Sequence, residues 1–222
     1  MKVIFSTLLL FVAVNVNSQP TLKVDGQSVG FIVMDSSIFV ANAFVIDTKR
    51  QVIACAHDIG SNNGIYYAYS DSITHQISLR KLRIVSVLPD YDLEVLASDS
   101  DLCTTPLNSA TKFPDFSDRY ADRHIFYLGC DVVKGLPNLA AMQVNESHIK
   151  SIYGIHKNNG ISIEMIDFVV AEKPVYTGGP VIDDNNKVVA IICNYAPFKL
   201  PNSGESSKWI NTAYSLQPIL KK

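Results

Sequence analysis

The chain has 222 residues and a formal net charge of −2, with 47% hydrophobic and 18% charged residues. This length is enough for one large domain, or for two small ones that share an interface, with an ample buried core. The weak negative charge argues against the basic surface typical of nucleic-acid-binding proteins, so no nucleic-acid partner is predicted.

Residues 1–18 predict a secretory signal peptide. Lys2 is followed by the apolar run VIFSTLLLFVAV and then by small residues ahead of Gln19. A membrane anchor is the alternative, but the run is shorter than the roughly 20 residues that a membrane-spanning helix needs. We therefore expect a secreted or periplasmic protein that keeps no stable membrane anchor once the signal is removed.

The rest of the chain is patterned with a period of two, which is typical of β-strands. Short runs rich in β-branched and aromatic residues are separated by turn sequences such as GSNNG, KNNG and DDNN. About a dozen strands at this spacing predict antiparallel barrels or a sandwich. The predicted strands are SVGFIVM, SIFVANAFVI, QVIACA, YYAYS, RIVSVL, LEVLA, HIFYLGC, AAMQVN, SIEMIDFVV, PVIDD and KVVAIIC.

One long segment without strand character divides these strands into two nearly equal sets. It is TTPLNSATKFPDFSDRYAD, residues 104–122, and we interpret it as a linker. The pattern therefore predicts one β-barrel in residues 19–103 and a second in residues 123–222. The last residues, NTAYSLQPILKK, predict one closing helix.

The four cysteines, Cys55, Cys103, Cys130 and Cys193, are few for a disulfide framework in a chain of this length. Three of them lie in apolar runs, which favours buried free thiols, although disulfides stay open. The histidines lack the spacing of metal ligands, so we predict neither a metal nor a cofactor.

Three polar residues stand out against this background. His57 ends the apolar run VIACA, Asp92 opens the strand LEVLA, and Thr177 precedes a Gly-Gly-Pro turn. Each has a structural explanation by itself: a histidine at a strand end, a carboxylate that caps a turn, and a turn residue. The order of the three along the chain is the informative feature.

In that order, the sequence resembles the trypsin-like (chymotrypsin-fold) serine peptidases, and most of all their bacterial HtrA-type branch. The matching segments are ANAFVID, ACAH, YDLEVL, IFYLGCD, VYTGGP and WINTAYSLQPIL, and the resemblance covers roughly residues 28–220. The resemblance implies an all-β fold of two antiparallel six-stranded Greek-key barrels with a short C-terminal helix. It places the site in the cleft between the barrels.

The resemblance also implies roles for individual residues. His57 would be the general base, Asp92 would orient its ring, and Thr177 would stand at the position of the nucleophilic serine. The backbone N–H groups of Val175 and Thr177 would form the oxyanion hole.

The implied partner is a peptide or protein, bound as substrate or ligand in the cleft between the barrels. Cys193, Asn194 and Tyr195 align with the strand that pairs with substrate in this family. Ala171 falls near the floor of the specificity pocket, and because it carries no charge, a preference for basic residues is not expected.

Two departures from the family pattern fall on one loop. The β-methyl group of Thr177 stiffens the side chain and crowds the place where serine would attack. Val175 stands where the family has glycine, whose backbone freedom a β-branched residue lacks. We therefore predict a degenerate site that is inactive or very weakly active and acts by binding. The alternatives are an active endopeptidase with a His57-Asp92-Thr177 triad, or a β-barrel protein unrelated to proteases.

Overall fold

A computed structural model describes residues 28–35, 38–59, 64–71, 73–74, 76–111, 123–133, 136–157, 159–170, 177–198 and 208–220. The predicted signal peptide and residues 112–122 of the predicted linker lie outside these ranges. The described residues form strands that are organised as two closed barrels.

The first barrel has six antiparallel strands in the order β1-β2-β3-β6-β5-β4, closed by pairing between β4 and β1. The last strand in sequence, β6, returns to lie beside β3 in the middle of the order, as in a Greek key. The strands are β1 (Val29–Met34), β2 (Ile38–Val45), β3 (Gln51–Cys55), β4 (Ile65–Ser70), β5 (Ile77–Leu88) and β6 (Leu93–Ser98).

The second barrel has the order β11-β8-β9-β10-β13-β12 and is closed by pairing between β11 and β12. A two-residue strand in the predicted linker, β7 (Asn108–Ser109), pairs in parallel with the edge of β12. The other strands are β8 (His124–Val133), β9 (Leu136–His156), β10 (Ser162–Val170), β11 (Pro180–Asp183), β12 (Lys187–Phe198) and β13 (Lys208–Ser215). Two six-stranded barrels confirm the predicted fold class.

Alternate residues along a strand pack into different hydrophobic cores. In β3, Val52 and Ala54 face the interior of the first barrel, whereas Ile53 and Cys55 face a layer between the barrels. That layer takes side chains from both barrels, and a third cluster fills the second barrel. Because each buried aliphatic side chain contributes about 1.5–3 kcal/mol, the shared layer holds the barrels together and fixes the cleft between them.

The helices are short. One turn, α1 (Ala56–Ile59), follows β3, and another, α2 (Gln217–Leu220), ends the described chain. The predicted closing helix is therefore present but shorter than expected, because NTAYS completes β13 and pairs with both β10 and β12. No helix among the described residues is long and apolar enough to cross a membrane.

Candidate active site

The local structure around His57 comes from the end of β3. The buried strand stops at Cys55, and α1 turns the chain so that the His57 side chain emerges 49% exposed. Ile59, two residues later, is buried in the core of the first barrel and anchors the turn. The histidine is therefore held on a fixed turn at the rim of the barrel.

Asp92 is aimed at His57 by an unusual backbone conformation. A 3-10 turn, Pro89–Tyr91, ends at Asp92, whose φ of 52° is left-handed, a conformation that aspartate tolerates better than most residues. One carboxylate oxygen lies 2.6 Å from His57 Nδ1, and the other accepts a hydrogen bond from the His57 backbone N–H at 2.9 Å. The structure thus brings together the predicted base and its orienting carboxylate.

A second carboxylate, whose contact no sequence motif indicates, lies on the other side of the ring. Asp58 Oδ1 is 3.3 Å from His57 Nε2. Burial raises the pKa of the Asp58 carboxyl, with Asp92 acting in the same direction and His57 opposing it. Both ring nitrogens of His57 therefore face carboxylates. The only signal in the sequence was an acidic residue directly after the histidine.

The turn that carries Thr177 is packed against both barrels. The Asn42 N–H in β2 donates to the Thr177 carbonyl at 3.0 Å, and the Gly178 N–H donates to the Ile192 carbonyl at 2.7 Å. Gly178 has a φ of +83°, and a Cβ at this position would overlap the carbonyl oxygen of Asn42. Glycine is thus required both by the backbone conformation and by the close approach of β2.

We expect Gly178→Ala to lower the free energy of unfolding by more than about 3 kcal/mol, because left-handed strain and overlap with β2 add together. Gly160 provides a matched control: its φ is +78°, but a Cβ at this position would have no atom within 4 Å. Gly160→Ala should cost only the backbone strain, about 1–2 kcal/mol. Urea unfolding of both variants measures the difference, and equal losses would contradict the packing argument.

Thr177 and His57 do not form the hydrogen bond that joins a nucleophile to its general base. The contacts of the described residues include no hydrogen bond between the Thr177 hydroxyl and the His57 ring, whose Nε2 instead faces Asp58. The predicted oxyanion residue Val175 and the predicted pocket residue Ala171 lie outside the described residues. Their roles stay predictions.

Comparison with known proteins gives matches through structure alone: no protein-family model and no curated protein sequence matches this chain. The MamO protease domain from Magnetospirillum magneticum superposes with a TM-score of 0.63 at 16% identity, over 88% of this chain and 95% of that one. Deg5 gives 0.61 at 17% identity, covering 88% and 87% of the two chains. Kallikrein-related peptidase 10 gives 0.61 at 14% identity, covering 88% and 93%.

The chain has the trypsin-like fold. At these sequence identities the trypsin-like fold is what the comparison establishes, and a fold by itself does not fix an activity. His57 and Asp92 lie between strands of the first barrel, and Thr177 comes just before β11 of the second.

The cleft of this trypsin-like fold contains a cavity of about 490 Å³ beside the histidine. It is lined by His57 and Asp92 from the first barrel and by Cys193 and Asn194 from the second. Asn194 is exposed, whereas Cys193 is buried and its thiol faces Cys55, and their roles in substrate pairing stay predictions. The predicted contact residue Tyr195 lies in β12, and its side chain is outside the described part of the structure.

A contact between a lysine and an aspartate joins the barrels at this cavity. Lys157, in the turn between β9 and β10, donates from Nζ to the Asp90 carbonyl at 2.7 Å and lies 3.2 Å from its carboxylate. Asp90 belongs to the 3-10 turn that precedes Asp92. No sequence pattern indicates this contact, because its two residues come from different barrels.

Two sets of side chains near the site could reach a common metal ion. The donor atoms of Cys55, Asp92 and Cys193 lie within 4.8 Å of one another, as do those of Cys55, His57 and Asp58. Thiolate, imidazole and carboxylate groups are suited to zinc. The absence of a metal therefore stays a prediction.

Proposed function

We propose that this protein binds extended peptide segments in the cleft between its barrels and hydrolyses them very slowly or not at all. The observation that carries the proposal is the position of Asp58, whose carboxylate faces the ring nitrogen of His57 that a working site presents to its nucleophile. The trypsin-like fold supplies the cleft, and the chemistry of the site limits what can happen there.

The two ring nitrogens of His57 have different roles in catalysis. A general base in this arrangement donates from Nδ1–H to the aspartate and accepts the nucleophile's proton at Nε2. Asp92 serves Nδ1, but Asp58 competes for Nε2, by donating when it is protonated or by accepting when the ring is charged. In both of these states Nε2 is hydrogen-bonded to Asp58, so His57 is less able to accept the proton of the Thr177 hydroxyl.

Peptide binding is supported by the edge of β12. Among the described residues, β13 is the one strand that pairs with the segment 195–198, which continues from the cavity. A strand edge beside a cleft can accept an extended peptide by β-augmentation, in which backbone hydrogen bonds provide affinity. Export, predicted from residues 1–18, would place such binding outside the cytoplasm.

The test combines labelling with binding. We expect purified wild-type protein to react with a fluorophosphonate no faster than its His57→Ala variant, as measured by intact mass. A library of extended peptides should yield binders to both proteins, and N-methylation of the backbone of a binder should abolish binding by removing ladder hydrogen bonds. Peptide hydrolysis that the His57→Ala variant loses would overturn the proposal.

The second candidate is a slow endopeptidase that uses Thr177. The close pair of His57 and Asp92, at 2.6 Å, favours it, because this contact is the orienting half of a triad. The same labelling assay decides between the candidates. Covalent modification of Thr177 that requires His57 would identify a threonine-based hydrolase.

A further inference from the structure

Two cysteines from opposite barrels meet directly beneath the candidate site. Cys55 ends β3 and Cys193 lies in β12, and their sulfur atoms are 3.1 Å apart. Carbon atoms in contact lie about 3.5–4.0 Å apart, and sulfur is larger than carbon. The two sulfurs are therefore closer than ordinary packing allows, and roughly 1 Å farther apart than in a disulfide.

We infer that Cys55 and Cys193 form a disulfide that links the two barrels, whether or not the cleft binds peptide. Both cysteines lie in the buried layer between the barrels, 0% and 5% exposed, and because their sulfur atoms already lie 3.1 Å apart, no large rearrangement is needed to form the bond. The bond would join β3, the strand that precedes His57, to β12 at the residue before Asn194.

The chemistry requires an external disulfide as the oxidant, either a small molecule such as oxidised glutathione or a protein disulfide. One cysteine thiolate attacks a sulfur of that disulfide, which forms a mixed disulfide and releases one thiol. The second cysteine thiolate then attacks the protein sulfur of the mixed disulfide, which forms the Cys55–Cys193 bond and releases the second thiol. Two electrons pass from the cysteines to the oxidant, and two protons leave the cysteines.

Burial determines when this reaction takes place. In the folded protein, burial raises the pKa of both thiols, so the reactive thiolates are scarce and the oxidant is excluded. The exchange is therefore expected during folding, before the barrels close around the pair. Once formed, the bond is shielded from reductants by the same layer of side chains.

A shared zinc ion is the competing explanation, because Asp92 lies near both sulfurs. Two thiolates bound tetrahedrally at about 2.3 Å from zinc are roughly 3.8 Å apart. The observed separation of 3.1 Å is shorter than that. The spacing therefore favours the disulfide.

The test refolds the purified protein in a buffer of reduced and oxidised glutathione, then denatures it in the presence of an alkylating reagent. We expect a Cys55–Cys193 peptide pair in the non-reducing digest, and the same pair in a Cys103→Ser variant. The thermal midpoint of oxidised protein should exceed that of reduced protein by about 10 °C. That shift should vanish in the Cys55→Ala, Cys193→Ala double variant.

Three results would overturn the inference. Alkylation of both Cys55 and Cys193 after oxidative refolding would show that the bond does not form. A disulfide from either residue to Cys103 or Cys130 would assign a different pairing. One equivalent of zinc, retained by wild type through gel filtration and lost in the double variant, would identify a metal site instead. The comparison of oxidised and reduced wild type needs no substitution, so it holds even if a variant fails to fold.

Discussion

The Thr177→Ser, Asp58→Ala double variant is expected to react with a fluorophosphonate at least about a hundredfold faster than the wild-type protein. The serine removes the β-methyl group that crowds the attacking position, and the alanine removes the carboxylate 3.3 Å from His57 Nε2. Each single variant should show a smaller increase in reaction rate, because one of the two obstacles is left in place. The rate of mass increase on the intact protein measures the effect.

Matched controls separate the two obstacles. Asp58→Asn keeps the size of the side chain and an amide that can still hydrogen-bond Nε2, so combined with Thr177→Ser it should gain much less than Asp58→Ala. Adding His57→Ala to the double variant should remove the labelling altogether. A double variant that is folded but silent would mean that a further obstacle remains in the site. The backbone at Val175, the predicted oxyanion donor, would then be the next position to test.

Raising the pH from 5 to 8.5 is expected to lower the free energy of unfolding by about 3 kcal/mol, and Glu94→Gln should abolish most of that loss. Glu94 lies in β6, on the strand face that Leu96 presents to the first-barrel core, and is 2% exposed. Its Oε1 has no hydrogen-bond partner among the described residues, and burial raises its pKa from 4.5 to about 7. Urea unfolding at the two pH values measures the change.

The sign follows from proton binding. Between pH 4.5 and 7 the folded protein keeps a proton on Glu94 that the unfolded chain has lost, so stability declines as pH rises through this range. Asp58 acts in the same direction, since its pKa is also raised, and Asp58→Asn in the Glu94→Gln background measures its share. An unchanged loss of stability in Glu94→Gln would show that other groups cause it.

The fold was predictable from the sequence because its signals are local. Strand alternation and turn residues record which side chains are buried, and the barrels follow from their number and spacing. The closing helix is shorter than predicted because NTAYS pairs with β10 and β12, which are distant in sequence. Tertiary pairing decided the conformation of that segment.

The site was only partly predictable. The pairing of His57 with Asp92 was implied by the resemblance to the trypsin-like peptidases. The contact of Asp58 was not, because it depends on how one helical turn directs two adjacent side chains. The approach of Cys55 to Cys193 depends on the docking of two barrels and spans 138 positions. Period-two patterning places each cysteine on a buried face, but it contains no information on which face opposes it.

The contact between Lys157 and Asp90 has a mechanical consequence. The pair of His57 and Asp92 is built entirely from the first barrel, yet the turn that presents Asp92 is tethered two residues earlier to a hairpin of the second. The barrels therefore cannot separate at this end of the cleft without either breaking the tether or pulling the aspartate away from the imidazole. Opening of the cleft is therefore coupled to the alignment of His57 with Asp92.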